Sequence, residues 1–287
     1  MKNENQNFEI GILGGTGSDL TLNNSKTIKV FTPYGNTSSI ISIGDLKGKK
    51  VAFIPRHGPN HNIPPHKVNF RANIWALKEL GVRFLISPSA VGSLKKEYNK
   101  GKFILVDQYI DRTKKRDDSF YDGGQLCHIS QASPYCGYLN DLFYQIGKTI
   151  NLDIKKGGTY VCIEGPRFST RAESKMFRKW EGDVIGMTTY PEVVLAAEKE
   201  ICYCCIAMVT DLDVWAAECP KCGIVEFAKN CEKCGSVIKE LSVNVPEVLE
   251  TMNQNALNLR KLLEWTIEKL DIKHDCSCHH TLKTALL

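Results

Sequence analysis

Short, nearly unbroken apolar runs alternate along this chain with longer segments whose apolar residues recur every three to four positions. The runs at 9–13, 27–30, 39–43, 50–54, 83–87, 103–107, 158–163, 183–187 and 201–210 read as strands. The segments at 67–80, 139–150, 170–179, 191–199 and 245–269 read as helices. In the first helix Ile74, Trp75, Leu77 and Leu80 share a side, and Gly81 supplies the closing residue. This alternation predicts an α/β fold, a mixed central sheet with helices on both faces. Two stretches break the pattern, an insertion at 218–236 and a polar tail at 274–287. One domain over 1–273, with the insertion inside it, is the expected organisation.

With 287 residues the chain can build one large core, and its 43% hydrophobic and 24% charged content is ordinary for a globular protein. The formal charge of +5 is spread out rather than striped with aromatics, so nucleic acid is an unlikely partner. The first residues are polar and no apolar run is long enough to span a bilayer, which points to a cytoplasmic protein with no membrane partner.

Candidate chemistry gathers at the predicted strand ends, where α/β sheets bind ligands. The apolar run from Ile201 ends at Thr210, Asp211 and Asp213. Two carboxylates one residue apart repel each other and lose solvation, and both effects raise a pKa, so one of them can hold a proton and act as a general acid. A pair at the start of a loop that merely caps a helix is the competing reading. The glycine-rich turn after the first strand, with Thr16, suits a phosphate better than a dinucleotide, because the third fingerprint glycine would fall at Leu20. Arg56 and His57 follow the strand at 50–54, and Ser89 with Ala90 follow that at 83–87. Together they suggest one anion pocket. Phe168, beside Ser169, can stack on a flat ring, and Met187 and Thr188 end another strand.

The strings GGTG, PRHG, NIWALKELG, EGPRFSTRAES, GMTTYPEV and TDLD occur in this order. On these motifs the chain, from Ile10 to Lys269, resembles the 5′-methylthioadenosine phosphorylases, within the trimeric class of purine nucleoside phosphorylases. The resemblance implies orthophosphate as co-substrate, attacking C1′ of the nucleoside, with no cofactor for catalysis. It assigns phosphate to Thr16, Arg56, His57, Ser89, the Ala90 backbone and Thr188. Met187 would lie under the ribose, and Phe168, Ser169, Thr210, Asp211 and Asp213 would hold the base. Val245 and Val248 would face the 5′ group, joined by His128 from a neighbouring subunit, which implies a homotrimer or a homohexamer. Two acids suit the donor amino group and acceptor N7 of a 6-aminopurine. A broad purine nucleoside phosphorylase and a binding protein on this scaffold are the rival functions.

The insertion carries Cys219, Cys222, Cys231 and Cys234 with C-x2-C-x8-C-x2-C spacing, the pattern of a structural zinc site built from two knuckles. Disulfides or an empty site are the alternatives there. The insertion follows the acid pair and precedes the last helix, so it either stiffens a lid over the site or docks a partner. Among the other cysteines of the chain's twelve, the resemblance places Cys136 opposite Cys202, as a disulfide or as two reduced thiols. Cys276 and Cys278 match an archaeal Cys-X-Cys tail, a redox pair or a disordered end. Cys127, Cys162, Cys204 and Cys205 read as small core residues. His279 and His280 carry no assigned role.

Overall fold

A computed structural model of the chain describes residues 7–15, 20–241 and 245–287, without the side chains of Val245 and Glu247. Thr16 lies outside the described residues. The first half forms β1 (Ile10–Gly14), β2 (Asn23–Ile28), β3 (Ile41–Leu46), β4 (Lys49–Pro55), α1 (Phe70–Glu79), β5 (Phe84–Ser93), β6 (Phe103–Leu105), β7 (Gln108–Arg112) and α2 (Gly137–Thr149). Then follow β8 (Ile154–Lys156), β9 (Thr159–Ile163), α3 (Arg171–Lys179), β10 (Val184–Gly186), α4 (Thr189–Glu198) and β11 (Cys202–Leu212). The chain closes with β12 (Ala216–Cys219), β13 (Gly223–Glu226), β14 (Lys239–Glu240) and α5 (Val245–Lys269).

Eleven strands form one mixed sheet in the order β2-β3-β4-β1-β5-β10-β9-β7, with β11 on β5, β6 on β11 and β8 on β6. Strand β5 is where the sheet divides. Along one edge it pairs with β11 over nearly its whole length, from Phe84 opposite Cys202 to Ser93 opposite Leu212. Elsewhere it pairs with β1 only through Ile86 and with β10 only at Gly92 and Ser93. Residues 87–91 are thus left without a second described strand partner. A gap of this kind, where strand order changes, is where α/β sheets accept ligands.

Strand β11 is buried on both faces, as its apolar run predicts. Tyr203, Cys205, Ala207 and Val209 join one core with Ile74 and Leu77 of α1 and Val193 and Leu195 of α4. Cys202, Cys204, Ile206 and Met208 join the opposite core with Leu139 and Phe143 of α2 and Leu259 and Leu262 of α5. The period of two along a strand produces this division, and helices cover both faces.

Several boundaries differ from the predicted ones for identifiable reasons. Helix α1 starts at Phe70 because the Asn69 side chain accepts from the Ala72 N–H at 3.1 Å, while Pro65–Lys67 forms a separate 3₁₀ turn. The predicted run at 103–107 is broken: β6 stops at Leu105, and β7, an unpredicted polar strand, starts at Gln108. The insertion is a three-stranded sheet, β13-β12-β14, reaching from Ala216 to Glu240. It sits on α3 through Arg171 over the Phe227 ring at 3.7 Å and Arg178 over Trp215 at 3.9 Å. The tail is ordered as 3₁₀ turns over Ser277–Thr284, and Cys127, read as a core residue, is part-exposed and bridged to Leu286 instead. No helix among the described residues is long and apolar enough to cross a membrane.

Candidate active site

A cavity of about 290 Å³ opens at the divided edge of β5. Arg56, His57, Ser89, Ala90, Phe168, Met187, Thr188, Thr210, Asp211, Asp213 and Val248 all line it. Residues drawn from across the sequence therefore meet in one place. Ser169 sits just behind the wall, hydrogen-bonded to Asp213. His128 is exposed and does not line this cavity; its backbone N–H donates to the Ala285 carbonyl at 2.8 Å. Val245 opens α5, three residues before Val248.

One end of the cavity is built for an anion. Arg56 is fully buried and gripped from the side by Glu192, with Nε donating to Oε1 at 2.5 Å and Nη2 to Oε2 at 3.2 Å. Nη2 also donates to Ser87 Oγ at 2.6 Å and the Leu13 carbonyl at 3.1 Å, and Nη1 to the Pro88 carbonyl at 3.3 Å. Nη1 carries a second hydrogen for a ligand. Gly15 makes room for this fork. A Cβ there would lie 2.9 Å from Nη1 and 2.6 Å from the Pro88 oxygen.

His57 Nδ1 lies 2.9 Å from the Ile63 carbonyl, which can only accept, so the hydrogen is on Nδ1. Burial, helped by the Arg56 charge, lowers its pKa to about 4, so at neutral pH the ring is uncharged. Nε2 is then an acceptor, suited to a proton-bearing phosphate oxygen. Ser89 Oγ, 3.0 Å from Tyr160 Oη and 3.1 Å from Thr188 Oγ1, completes a cluster of hydroxyls.

The other end is acidic. Burial pushes the Asp211 carboxyl up to about 6; the charge of Asp213 adds to the rise and a 2.8 Å hydrogen bond from Thr210 Oγ1 opposes it. Burial likewise raises Asp213, which accepts from Ser169 Oγ at 2.7 and 2.8 Å on its two oxygens. Gly92 lets the acids come this close to β5, since a Cβ there would lie 3.3 Å from Asp211 Oδ2. A bulge in β11 between Val209 and Asp211 sets the acids opposite the end of β5.

Several contributors were absent from the sequence reading. His61, Ile63, Pro64 and Pro65 line the cavity from the loop after His57. Glu192 and Tyr160 act from behind the wall. Arg116 fixes the Met187 segment, donating to the Met187 carbonyl at 2.8 Å, to the Glu164 carbonyl at 3.0 Å and to the Tyr190 carbonyl. Glu192 falls in an apolar helical segment, where an acid with no visible partner was a signal that could have been read.

In the insertion, the sulfur atoms of Cys219, Cys222, Cys231 and Cys234 all lie within 4.8 Å of one another. Gly223 and Gly235, the residues after each Cys-x2-Cys, have matching φ of +69° and +70°, so the two turns share one shape. No disulfide joins any of the cysteines in this structure, Cys136 and Cys202 included.

The sequence profile of the phosphorylase superfamily matches residues 9–263. The chain is 48% identical to an S-methyl-5′-thioadenosine phosphorylase of Saccharolobus solfataricus, with both chains covered in full. It is 46% identical to the enzyme of that name from Nitrosopumilus maritimus, over 98% of each chain. Among solved structures, a methylthioadenosine phosphorylase from an antarctic soil metagenomic library superposes with a TM-score of 0.84 at 36% identity, covering 98% of this chain and 93% of that one. The methylthioadenosine phosphorylase of Schistosoma mansoni in complex with adenine superposes at 0.82 and 28% identity, covering 96% and 98%. With its fold, its divided sheet and its full-length kinship in agreement, the chain belongs to the phosphorylase superfamily and, within it, to the family of the archaeal S-methyl-5′-thioadenosine phosphorylases.

Proposed function

We propose that this cavity carries out phosphorolysis of S-methyl-5′-thioadenosine to adenine and 5-methylthioribose 1-phosphate. The observation that carries the reading is that an anion cradle and a protonatable acid pair share one cavity. Strand β5 spaces them: Ser89 stands opposite Ala207, and Gly92, three residues on, stands opposite Asp211. At about 3.3 Å per residue this is roughly 10 Å, room for a sugar between a phosphate and a purine.

A phosphate oxygen forms the bond to C1′ as the bond from C1′ to N9 breaks, and the electron pair leaves with the purine. Asp211, protonated, donates to N7 and neutralises the departing base. Asp213, held by Ser169, accepts from the 6-amino group. Arg56, Ser89 and Thr188 hold the ionised phosphate oxygens, and His57 Nε2 takes the P–OH. The phosphate's own charge, fixed beneath the ring, stabilises the sugar cation. Phe168 stacks on the base, and apolar wall from Ile63, Pro64, Met187 and Val248 suits a methylthio group better than a hydroxyl.

Four thiolates in the insertion, none of which lines the cavity, would hold a structural zinc ion. Because the insertion rests on α3, which follows Phe168 and Ser169, zinc would stiffen the base side of the site. A cytoplasmic homotrimer or homohexamer, with His128 reaching a neighbour's 5′ pocket, completes the reading. The test is product analysis with methylthioadenosine, adenosine and methylthioinosine, each with and without orthophosphate. Phosphate-dependent adenine release, fastest with methylthioadenosine, is expected. Equal release of hypoxanthine would instead mean a broad purine nucleoside phosphorylase.

A further inference from the structure

The Cys-X-Cys tail does not hang free, and what it meets is not explained by the catalytic site. The sulfur atoms of Cys136, Cys202, Cys276 and Cys278 all lie within 4.8 Å of one another, the same convergence as in the insertion. Cys136 caps the start of α2, Cys202 opens β11, and the other two come from the tail. Cys136 Sγ and Cys276 Sγ stand 3.6 Å apart. That is far beyond a disulfide bond of about 2.05 Å. It is close to the edge of a tetrahedron of sulfurs each about 2.3 Å from a zinc ion, which is roughly 3.8 Å.

We propose that these four cysteines form a second structural metal site, a closed tetrathiolate for zinc or a similar thiophilic divalent cation. The surroundings suit such a centre. Four thiolates around a dication leave two negative charges, and His279 Nε2 lies 3.4 Å from Cys202 Sγ while the Arg83 guanidinium sits 3.0 Å from His279 Nδ1. Three of the cysteines are buried, which shuts water out of the centre and marks it as structural rather than catalytic.

The ion staples the tail to the core, and the tail then reaches further. Beyond the cluster, Thr281 Oγ1 donates to the Ala197 carbonyl at 2.6 Å. The last residues clasp the 126–128 loop: Cys127 bridges Leu286, and the Leu287 N–H donates to the Leu126 carbonyl at 3.1 Å. That loop carries His128, so the metal fixes the segment through which neighbouring subunits would meet. The metal site itself does not depend on the catalytic reading.

The experiment is zinc counting by mass spectrometry on the full chain purified under reducing conditions. Cys276→Ser/Cys278→Ser should lose one zinc per chain relative to the unaltered protein. An unchanged count would overturn the proposal, as would a non-reducing peptide map joining these four cysteines as disulfides. Should that variant fail to fold, Cys222→Ser/Cys234→Ser keeps the tail cluster intact. Loaded with cobalt, it should show the visible absorption of a tetrahedral thiolate site, and lack of that absorption would be equally fatal.

Discussion

Asparagine in place of Asp211 should slow the enzyme and, at neutral pH, make it more stable. The structure sets the size of the second effect. Burial holds the carboxyl at about 6 against an ordinary 3.8, so between these pH values only the folded state keeps the proton, and at pH 7 the fold must bear a buried, ionised carboxylate. Moving a carboxyl from 3.8 to about 6 corresponds to roughly 3 kcal/mol. The residue keeps some exposure at the cavity mouth, which reduces the figure to about 2 kcal/mol. The sign follows from linkage: a raised pKa favours the fold below pH 3.8, and that advantage is lost as pH climbs through 6. An amide has no proton to lose and can still accept from Thr210. Asp211→Asn should therefore melt higher than the unaltered chain at pH 7, by about 4 °C for a chain of this size, and the gap should close toward pH 4. Turnover should fall by roughly 10²–10⁴-fold, the usual range for a lost general acid, while KM for phosphate changes little. Thermal melts in a pH series beside initial rates test both halves. A variant less stable than the parent at pH 7, or a gap independent of pH, would mean that Asp211 holds no strained charge.

Other perturbations probe the remaining parts. Gly15→Ala should raise KM for phosphate at least 10-fold with little change in KM for the nucleoside, because the new Cβ meets the Pro88 carbonyl and displaces the Arg56 fork; equal effects on both constants would contradict the assignment. Glu192→Gln leaves the buried Arg56 charge uncompensated and should cost about 3–5 kcal/mol in denaturant unfolding, much of it recovered at high phosphate. Because burial depresses His57 to about 4, folding must discharge an imidazole whose ordinary pKa is 6.5. Its penalty is fully present below pH 4 and vanishes above 6.5, so His57→Gln should relieve acid unfolding in that window and not at pH 8. Breaking the insertion's four-cysteine cluster by Cys231→Ser should lower the melting temperature and raise KM for the nucleoside more than for phosphate; an unchanged melt and KM would leave the insertion with no part in the site.

The sheet's centre was legible because its strands are buried on both faces, and burial writes itself as unbroken apolar runs. Strand β7 was not, since its residues are largely solvent-facing and polar and only pairing with β9 makes them a strand. The candidate site was legible where function demands a residue at a strand end, as with Arg56 and Asp211. It was illegible where a residue acts through another. Glu192, Tyr160 and Arg116 touch the cavity only through Arg56, Ser89 and Met187, and no local pattern ties residues some 70 to 136 positions apart. The cysteines show the same limit. The insertion's four share short spacings and could be grouped on sight, whereas the tail's pair gave no hint that Cys136 and Cys202 wait beside it.

A neutral cradle for a charged substrate looks paradoxical, and it bears on how the site works. Arg56 is cancelled by Glu192 and His57 is uncharged, so at this end the cavity offers oriented dipoles rather than excess positive charge. Phosphate bound there keeps most of its negative field, which a cluster of cations would have neutralised. Phosphorolysis needs that field, because the sugar becomes cationic as the purine leaves, and among the described residues the only carboxylates lining the cavity are Asp211 and Asp213. The same reasoning explains the acid pair. With its carboxyl raised to about 6, Asp211 takes up a proton far more readily than an ordinary aspartate, so the departing purine can meet a donor rather than a second repelling carboxylate. Burial thus sets the electrostatics at both ends: it keeps His57 uncharged and brings the Asp211 proton within reach of neutral pH.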